Sequence, residues 1–169
     1  MLFKPDMTRT LETYVDSNWS TGFSCSGAVF MYYGCIFHWF SKMQRSVTLS
    51  SAEAEFFGAM MAARDVIFIR ELLTDLSLMS DGPSLIYSDS KSAVDMTYDP
   101  VAFKKTKHVL RAAEFLRDLV TRRVITFTHV MGTRMPADIF TKAVSRAVFM
   151  ELLRLLGRLP PQADAAPAE

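Results

Sequence analysis

The chain has 169 residues, 50 % of them apolar and 22 % charged, with a net charge of +1, which suits one domain with a sizeable core and falls short of two. No apolar run reaches the roughly 18–20 residues of a membrane span, and no cationic start precedes an apolar h-region. Two cysteines, Cys25 and Cys35, lack the paired spacing of a zinc site or disulfide scaffold, so a soluble, intracellular protein with reduced thiols in or near its core is expected.

Residues 1–10 lack periodicity and read as a linker remnant. Leu11–Asn18, LETYVDSN, reads as a strand carrying Asp16 just ahead of a Ser-Thr-Gly turn. Residues 24–33 and 35–42 follow as strands rich in Val, Phe, Tyr, Ile and Trp, with Gly34 at the turn, so the first three strands form an antiparallel meander. His38, between Phe37 and Trp39, reads as a strand residue rather than a ligand.

A long helix is expected from Ser51 to about Leu76, opening in TLSSAEAEFFGAMMAA and ended by Ser-Asp-Gly-Pro. Ser50 as N-cap and Glu53 at the third helical position form a capping box, which gives Glu53 a structural task. Glu55 has turned about 200° further around a 3.6-residue helix. It joins the line Ala59, Ala62, Val66, Ile69, Leu73, which is otherwise apolar. A carboxylate facing a core costs several kcal/mol unless a charge or metal compensates it, so a positive partner is expected there.

Ser84–Ser88, SLIYS, has the nearly unbroken apolar character of a parallel strand, ends in Asp89, and passes straight into a helix, KSAVDMTY. A helix over about 105–121 has Val109, Ala112, Ala113, Leu116, Leu119 and Val120 at helical spacing, and residues 124–130 alternate as a fifth strand. A turn at 131–134 leads to Pro136 at the first position of a final amphipathic helix that runs to about Leu156, and the Pro/Ala-rich residues 158–169 read as a disordered tail. The order β-β-β-α-β-α-α-β-α predicts an α/β domain over 11–157 built on a five-stranded mixed sheet, three antiparallel strands and then two parallel, flanked by helices.

Charge is unevenly distributed. Residues 104–123 hold seven Lys/Arg against Glu114 and Asp118, net +5, which leaves −4 for the remainder. A basic segment beside an acidic remainder suits a protein that holds a polyanion on one surface and something cationic on another. The acids of interest are Asp16, Glu55, Asp89 and Asp138, from four separate elements. Each can meet the others at one edge of such a sheet, outside the carboxyl ends of its strands. An oxygen-only cluster suits Mg²⁺ or Mn²⁺, and two such ions can activate water and stabilise the leaving oxygen of a phosphodiester. Three of the four also have structural readings. Asp16 suits a strand-end turn, Asp89 suits an N-cap as Ser88 and Ser90 do, and Asp138 near a helix start suits the macrodipole.

The series YVDSNW, Trp-Phe-Ser-Lys, SVTLSSAEAEF, YSDSKSAV, KKTKHV and ADIFTK, in order over about 13–142, resembles the ribonuclease H domain of copia-type LTR retrotransposon polyproteins. The resemblance implies the ribonuclease H fold and an endonuclease that cuts the RNA strand of RNA/DNA hybrids during reverse transcription, using two Mg²⁺, or Mn²⁺ in their place. It assigns the metal ligands to Asp16, Glu55, Asp89 and Asp138, with Asp16 bridging. It implies hybrid contacts from Ser17, Lys42, Arg45, Ser90, Lys104, Lys105, Lys107, His108 and Arg111. The implied partners are the hybrid and the reverse transcriptase polymerase domain of the same polyprotein, with no membrane, in a cytoplasmic virus-like particle or the nucleus. Asn18, Phe103 and LRAAEF depart from the usual copia-type pattern. The interval 131–136 lacks the histidine that many cellular relatives carry there, and His129 is the nearest substitute. A noncatalytic hybrid-binding module of a polyprotein is the alternative reading, and a different metal-dependent nuclease on the same fold is a further one.

Overall fold

The computed structural model describes residues 10–79, 81–98 and 107–157. The expected linker, apart from Thr10, and the expected tail lie outside the described residues, as do Phe103, Lys104 and Lys105. In chain order the elements are β1 (Leu11–Asn18), β2 (Cys25–Tyr32), β3 (Cys35–Met43), α1 (Ser51–Asp75), β4 (Ser84–Ser88), α2 (Lys91–Tyr98), α3 (Lys107–Thr121), β5 (Ile125–His129) and α4 (Arg146–Leu155). The sheet order is β3-β2-β1-β4-β5. β1 pairs antiparallel with β2, Asp16 opposite Gly27, and parallel with β4, Thr13 opposite Ile86. β2 and β3 are antiparallel, β4 and β5 parallel. This is the expected mixed sheet. Parallel strands cannot be joined by a tight hairpin, so α1 and the α2–α3 pair serve as the crossovers.

Alternation along β1 sends Leu11, Thr13, Val15 and Ser17 to one face, where all four are buried. The α1 stripe Ala59, Ala62, Val66, Ile69 and Leu73 is buried in the same core, together with residues of α2 and α3. A smaller cluster of Val29, Met31 and Leu156, with Tyr14, Ile36, Ile139 and Phe140 packed on it, covers part of the other face. The result is three layers.

At the start of α1, Glu53 N–H donates to Ser50 Oγ at 3.2 Å, and the Glu53 carboxylate accepts from Leu49 N–H at 2.7 Å. The reciprocal cap therefore closes, with Glu53 reaching one residue past the N-cap's own N–H. Such a cap contributes about 1 kcal/mol.

The last helix differs from expectation. Instead of one helix from Pro136, there are 3₁₀ turns at Gly132–Arg134 and Pro136–Phe140, then a break, then α4 with Ser145 as its own N-cap. The cause lies in residues 141–145. Thr141 Oγ1 turns to the Asp16 carboxylate and to the Asp138 carbonyl, a side-chain alternative to helical hydrogen bonding. Thr141 and Val144 are β-branched, which weakens helix continuation, and Ser145 starts the next helix by accepting from Val148 N–H. Gly27 makes room for this turn on the sheet, because a Cβ there would come within 2.6 Å of Phe140 Cβ and 2.9 Å of Thr141 Cγ2.

Candidate metal centre

Asp16 alternates with Val15 and Ser17, so it points to the sheet face opposite the main core, where it is nonetheless 2 % exposed. Thr141 Oγ1 donates to its Oδ2. Asp89 directly follows β4, the strand beside β1. Its carboxylate is not spent on capping α2: Ser90 Oγ accepts from Ala93 N–H at 3.3 Å, so of the three expected cap candidates Ser90 fills the role. Asp138 lies within the second 3₁₀ turn. One carboxylate oxygen each from Asp16, Asp89 and Asp138 lies within 4.8 Å of the others.

Glu55 enters from the helix side. Gly58, one turn further along α1, lies so close to the sheet that a Cβ there would stand 2.2 Å from Ser17 Oγ and 3.2 Å from Ser26 Oγ. That approach brings the start of α1 against the end of β1. Ser17 backbone N–H hydrogen-bonds the Glu55 carboxylate, while Glu55 Oε2 is buried with no hydrogen-bond partner among the described residues.

The 4.8 Å group holds three of the four expected acids and leaves out Glu55, which is coupled to it through the charges of Asp16 and Asp89. Burial, then the charges of Asp16 and Asp89, push the Glu55 carboxyl up to about 9, against smaller opposing effects of the Ser17 hydrogen bond and Lys142. Burial and Asp16 also raise Asp89. Burial raises Asp138, despite its hydrogen bond with Lys142. The positive partner expected for Glu55 exists in part: Lys142 Nζ sits 2.9 Å from Asp138 Oδ1 and 3.7 Å from Asp16 Oδ2. Burial alone would lower the Lys142 pKa, but Asp138, Asp16 and Asp89 outweigh it and raise it.

Thr141 and Lys142 were not among the residues expected at the site. The available signal was the four-residue interval from Asp138 to Lys142, the spacing of a helical ion pair. The donor set is all oxygen, it carries mutually repelling carboxyls, and of its two buried oxygens without a recorded hydrogen bond Asp138 Oδ1 has the Lys142 ion pair while Glu55 Oε2 has no described ion pair. Such a set fits a divalent cation of the Mg²⁺ or Mn²⁺ type.

The remaining expected residues are dispersed. Ser17 Oγ faces inward, 2.9 Å from Ser26 Oγ, leaving only its backbone at the site. Lys42 pairs with Ser26 at the Asp16 end of the sheet, is exposed, and holds Nζ 5.1 Å from the centre of the Phe40 ring. Arg45 and Arg111 are exposed, and no described contact links either to the acids. Lys107 and His108 begin α3, but their side chains lie outside the described residues. His129 ends β5 with Nε2 3.1 Å from the Asp89 carbonyl oxygen. His38 stays in the strand, its ring centroid 4.8 Å from that of Phe30 and its Nε2 3.4 Å from Asp65 Oδ2. Both cysteines are free, and no described helix is long and apolar enough to cross a membrane.

No family model matches the chain. It is 30 % identical over 134 residues, 79 % of its length, to the retrovirus-related Pol polyprotein from transposon TNT 1-94 of Nicotiana tabacum. It is 29 % identical over 167 residues to the corresponding polyprotein from transposon RE2 of Arabidopsis thaliana. The chain spans only 10 % and 12 % of the length of these relatives. Among solved structures, LC11-RNase H1, isolated from compost, superposes with a TM-score of 0.63 at 19 % identity, over 79 % of this chain and 94 % of that one. The foamy viral protease-reverse transcriptase in complex with RNA/DNA hybrid gives 0.58 at 16 % identity, over 88 % of this chain and 22 % of that one. The solved structures carry the fold, and the transposon polyproteins carry the kinship. The chain is therefore a homologue of a short part of the retrovirus-related Pol polyproteins of plant transposons, and it has the ribonuclease H fold.

Proposed function

We propose that this domain is a divalent-metal-dependent ribonuclease H that hydrolyses the RNA strand of RNA/DNA hybrids during reverse transcription of a retrotransposon, beside the polymerase region of the same polyprotein. The observation that carries the reading is the convergence of Asp16, Asp89 and Asp138 within 4.8 Å, with Glu55 outside that group but close enough to be raised by the charges of Asp16 and Asp89. Two relatives of this fold, LC11-RNase H1 and the foamy viral enzyme, were solved with an RNA/DNA hybrid bound, which supports the choice of substrate.

Asp16, Glu55, Asp89 and Asp138 would hold two Mg²⁺, or Mn²⁺. When bound, these supply Lewis acidity for the attacking water and for the charge on the departing 3′ oxygen. The chain's own residues do the rest. Ser17 N–H favours the charged form of the Glu55 carboxyl, whose Oε2 has no hydrogen-bond partner among the described residues. Burial and the neighbouring acids favour the protonated form of that carboxyl, so a cation held there would compete with its proton and would be bound more tightly as pH rises. Thr141 orients Asp16 through Oδ2. Lys42, Arg45 and Arg111, with the basic stretch from Lys104 to His108, hold phosphates and make binding salt-dependent. Backbone groups after Asp16, with Glu55 and Ser90, read the RNA 2′-OH, which donates and accepts hydrogen bonds.

The test is cleavage of an end-labelled RNA/DNA hybrid by the purified domain with Mg²⁺, Mn²⁺ or chelator. The expected result is metal-dependent cutting of the RNA strand alone, with RNA/RNA and DNA/DNA duplexes spared, falling about 10³-fold in Asp16→Asn and in Glu55→Gln. A wild type that binds hybrid and cuts nothing with either metal would make the domain a binding module.

A further inference from the structure

The gap between Asp16 and Asp138 is already spanned by a cation that belongs to the chain. Lys142 Nζ is 2.9 Å from Asp138 Oδ1 and 3.7 Å from Asp16 Oδ2, the same Asp16 oxygen to which Thr141 donates. Consecutive residues thus aim a hydroxyl and an ammonium at one oxygen of the most buried acid. They reach it because the chain leaves helical geometry after Phe140 and is pressed onto the sheet where Gly27 makes room. An ammonium in that position and a divalent cation on the same carboxylate oxygens exclude one another, by occupied lone pairs and by like charge. The two ends of the contact also differ in freedom. The Lys142 side chain is 39 % exposed and has solvent to withdraw into, whereas Asp16, at 3 %, cannot follow it.

Resting on the metal-centre reading above, we propose that Lys142 is an internal stand-in for a divalent cation: it holds Asp16 and Asp138 together while no metal is bound, and withdraws when metal enters, so that it sets the metal concentration at which the domain loads. Lys142 is in this sense a positioning residue. The ammonium lowers the mutual repulsion of the acids enough for the empty site to fold, and it raises the threshold for filling it.

The experiment titrates Mn²⁺ into the wild-type domain, Lys142→Met and Lys142→Arg by calorimetry at pH 8, with Asp16→Asn as the control for site-specific heat. Thermal melting of each is recorded in EDTA and in saturating Mn²⁺. Lys142→Met should bind Mn²⁺ about tenfold more tightly than wild type, the scale of removing one like charge at this distance in a partly solvated site. It should melt below wild type in EDTA and gain more from Mn²⁺. Lys142→Arg, which keeps the charge, should stay close to wild type in both measurements. Equal or weaker Mn²⁺ affinity in Lys142→Met, with the wild type binding normally, overturns the inference and leaves the metal centre standing. A Lys142→Met chain that remains unfolded in Mn²⁺ also overturns it, because the metal then fails to replace the ammonium. Absence of Mn²⁺ binding in the wild type and both Lys142 variants overturns the inference and the metal-centre reading together.

Discussion

The first turn of α1 and the turn after it use the same side chain for opposite ends. At Glu53 the polar groups close locally: the carboxylate accepts from Leu49 N–H, and its own N–H goes to Ser50. At Glu55, two residues on, one carboxylate oxygen is buried without a described partner and the carboxyl is pushed up to about 9 by burial and by Asp16 and Asp89. The first region is arranged for stability, and the second keeps a carboxyl where its ionisation costs stability. Repelling acids retained in one place are the pattern of a site waiting for cations.

Gly58→Ala tests the contrast most severely. The added Cβ meets Ser17 Oγ at 2.2 Å, so α1 must lift from β1 beside Glu55 while the Glu53 cap is untouched. A loss of about 3 kcal/mol in urea unfolding is expected, at the upper end of the range for overpacking. An unchanged midpoint would mean the helix has slack there.

Glu55→Gln has the next largest effect, and its sign is opposite. In the metal-free folded protein Glu55 keeps its proton up to about pH 9, against 4.5 for an ordinary glutamate. Across that window the folded state binds the extra proton, so stability in EDTA falls as pH rises. Glu55→Gln should flatten this dependence and be more stable than wild type at pH 8 by about 2 kcal/mol, part of the full linkage effect being screened by solvent. Parallel stability–pH curves for the two proteins would contradict the assignment. Glu53→Ala should cost about 1 kcal/mol, as loss of a cap does, while leaving metal-dependent cleavage intact at a temperature where the chain is folded. Loss of cleavage there would erase the distinction between the two glutamates.

Much of the arrangement was legible because its signals are local. Strand alternation, the cap at Ser50 and the apolar line along α1 each depend on residues a few positions apart, and the structure reproduces all three. The four acids could be named from strand ends and helix starts, but three kept rival structural readings because a cap or turn also favours acids. For Asp89 the cap reading falls away, because Ser90 takes the cap. The end of the chain was less legible. Pro136 suggested one helix, whereas Thr141 couples to Asp16 from near the opposite end of the sequence, and that tertiary bond competes with the helix. Lys142 had a local signal in its four-residue spacing from Asp138, but its approach to Asp16 is tertiary in the same way. The inward turn of Ser17 Oγ depends on Ser26 across the β1–β2 pair and on the bare Cα of Gly58, neither of which a local pattern reports.

The central claim, that Asp16, Glu55, Asp89 and Asp138 form one divalent-cation site, is tested most directly by diffraction from crystals grown with Mn²⁺, measured at the manganese edge. The account predicts two anomalous peaks held by these four carboxylates, with Lys142 Nζ turned away from Asp16. Anomalous density absent from the four acids, with Lys142 still lodged between Asp16 and Asp138 at saturating Mn²⁺, would contradict it.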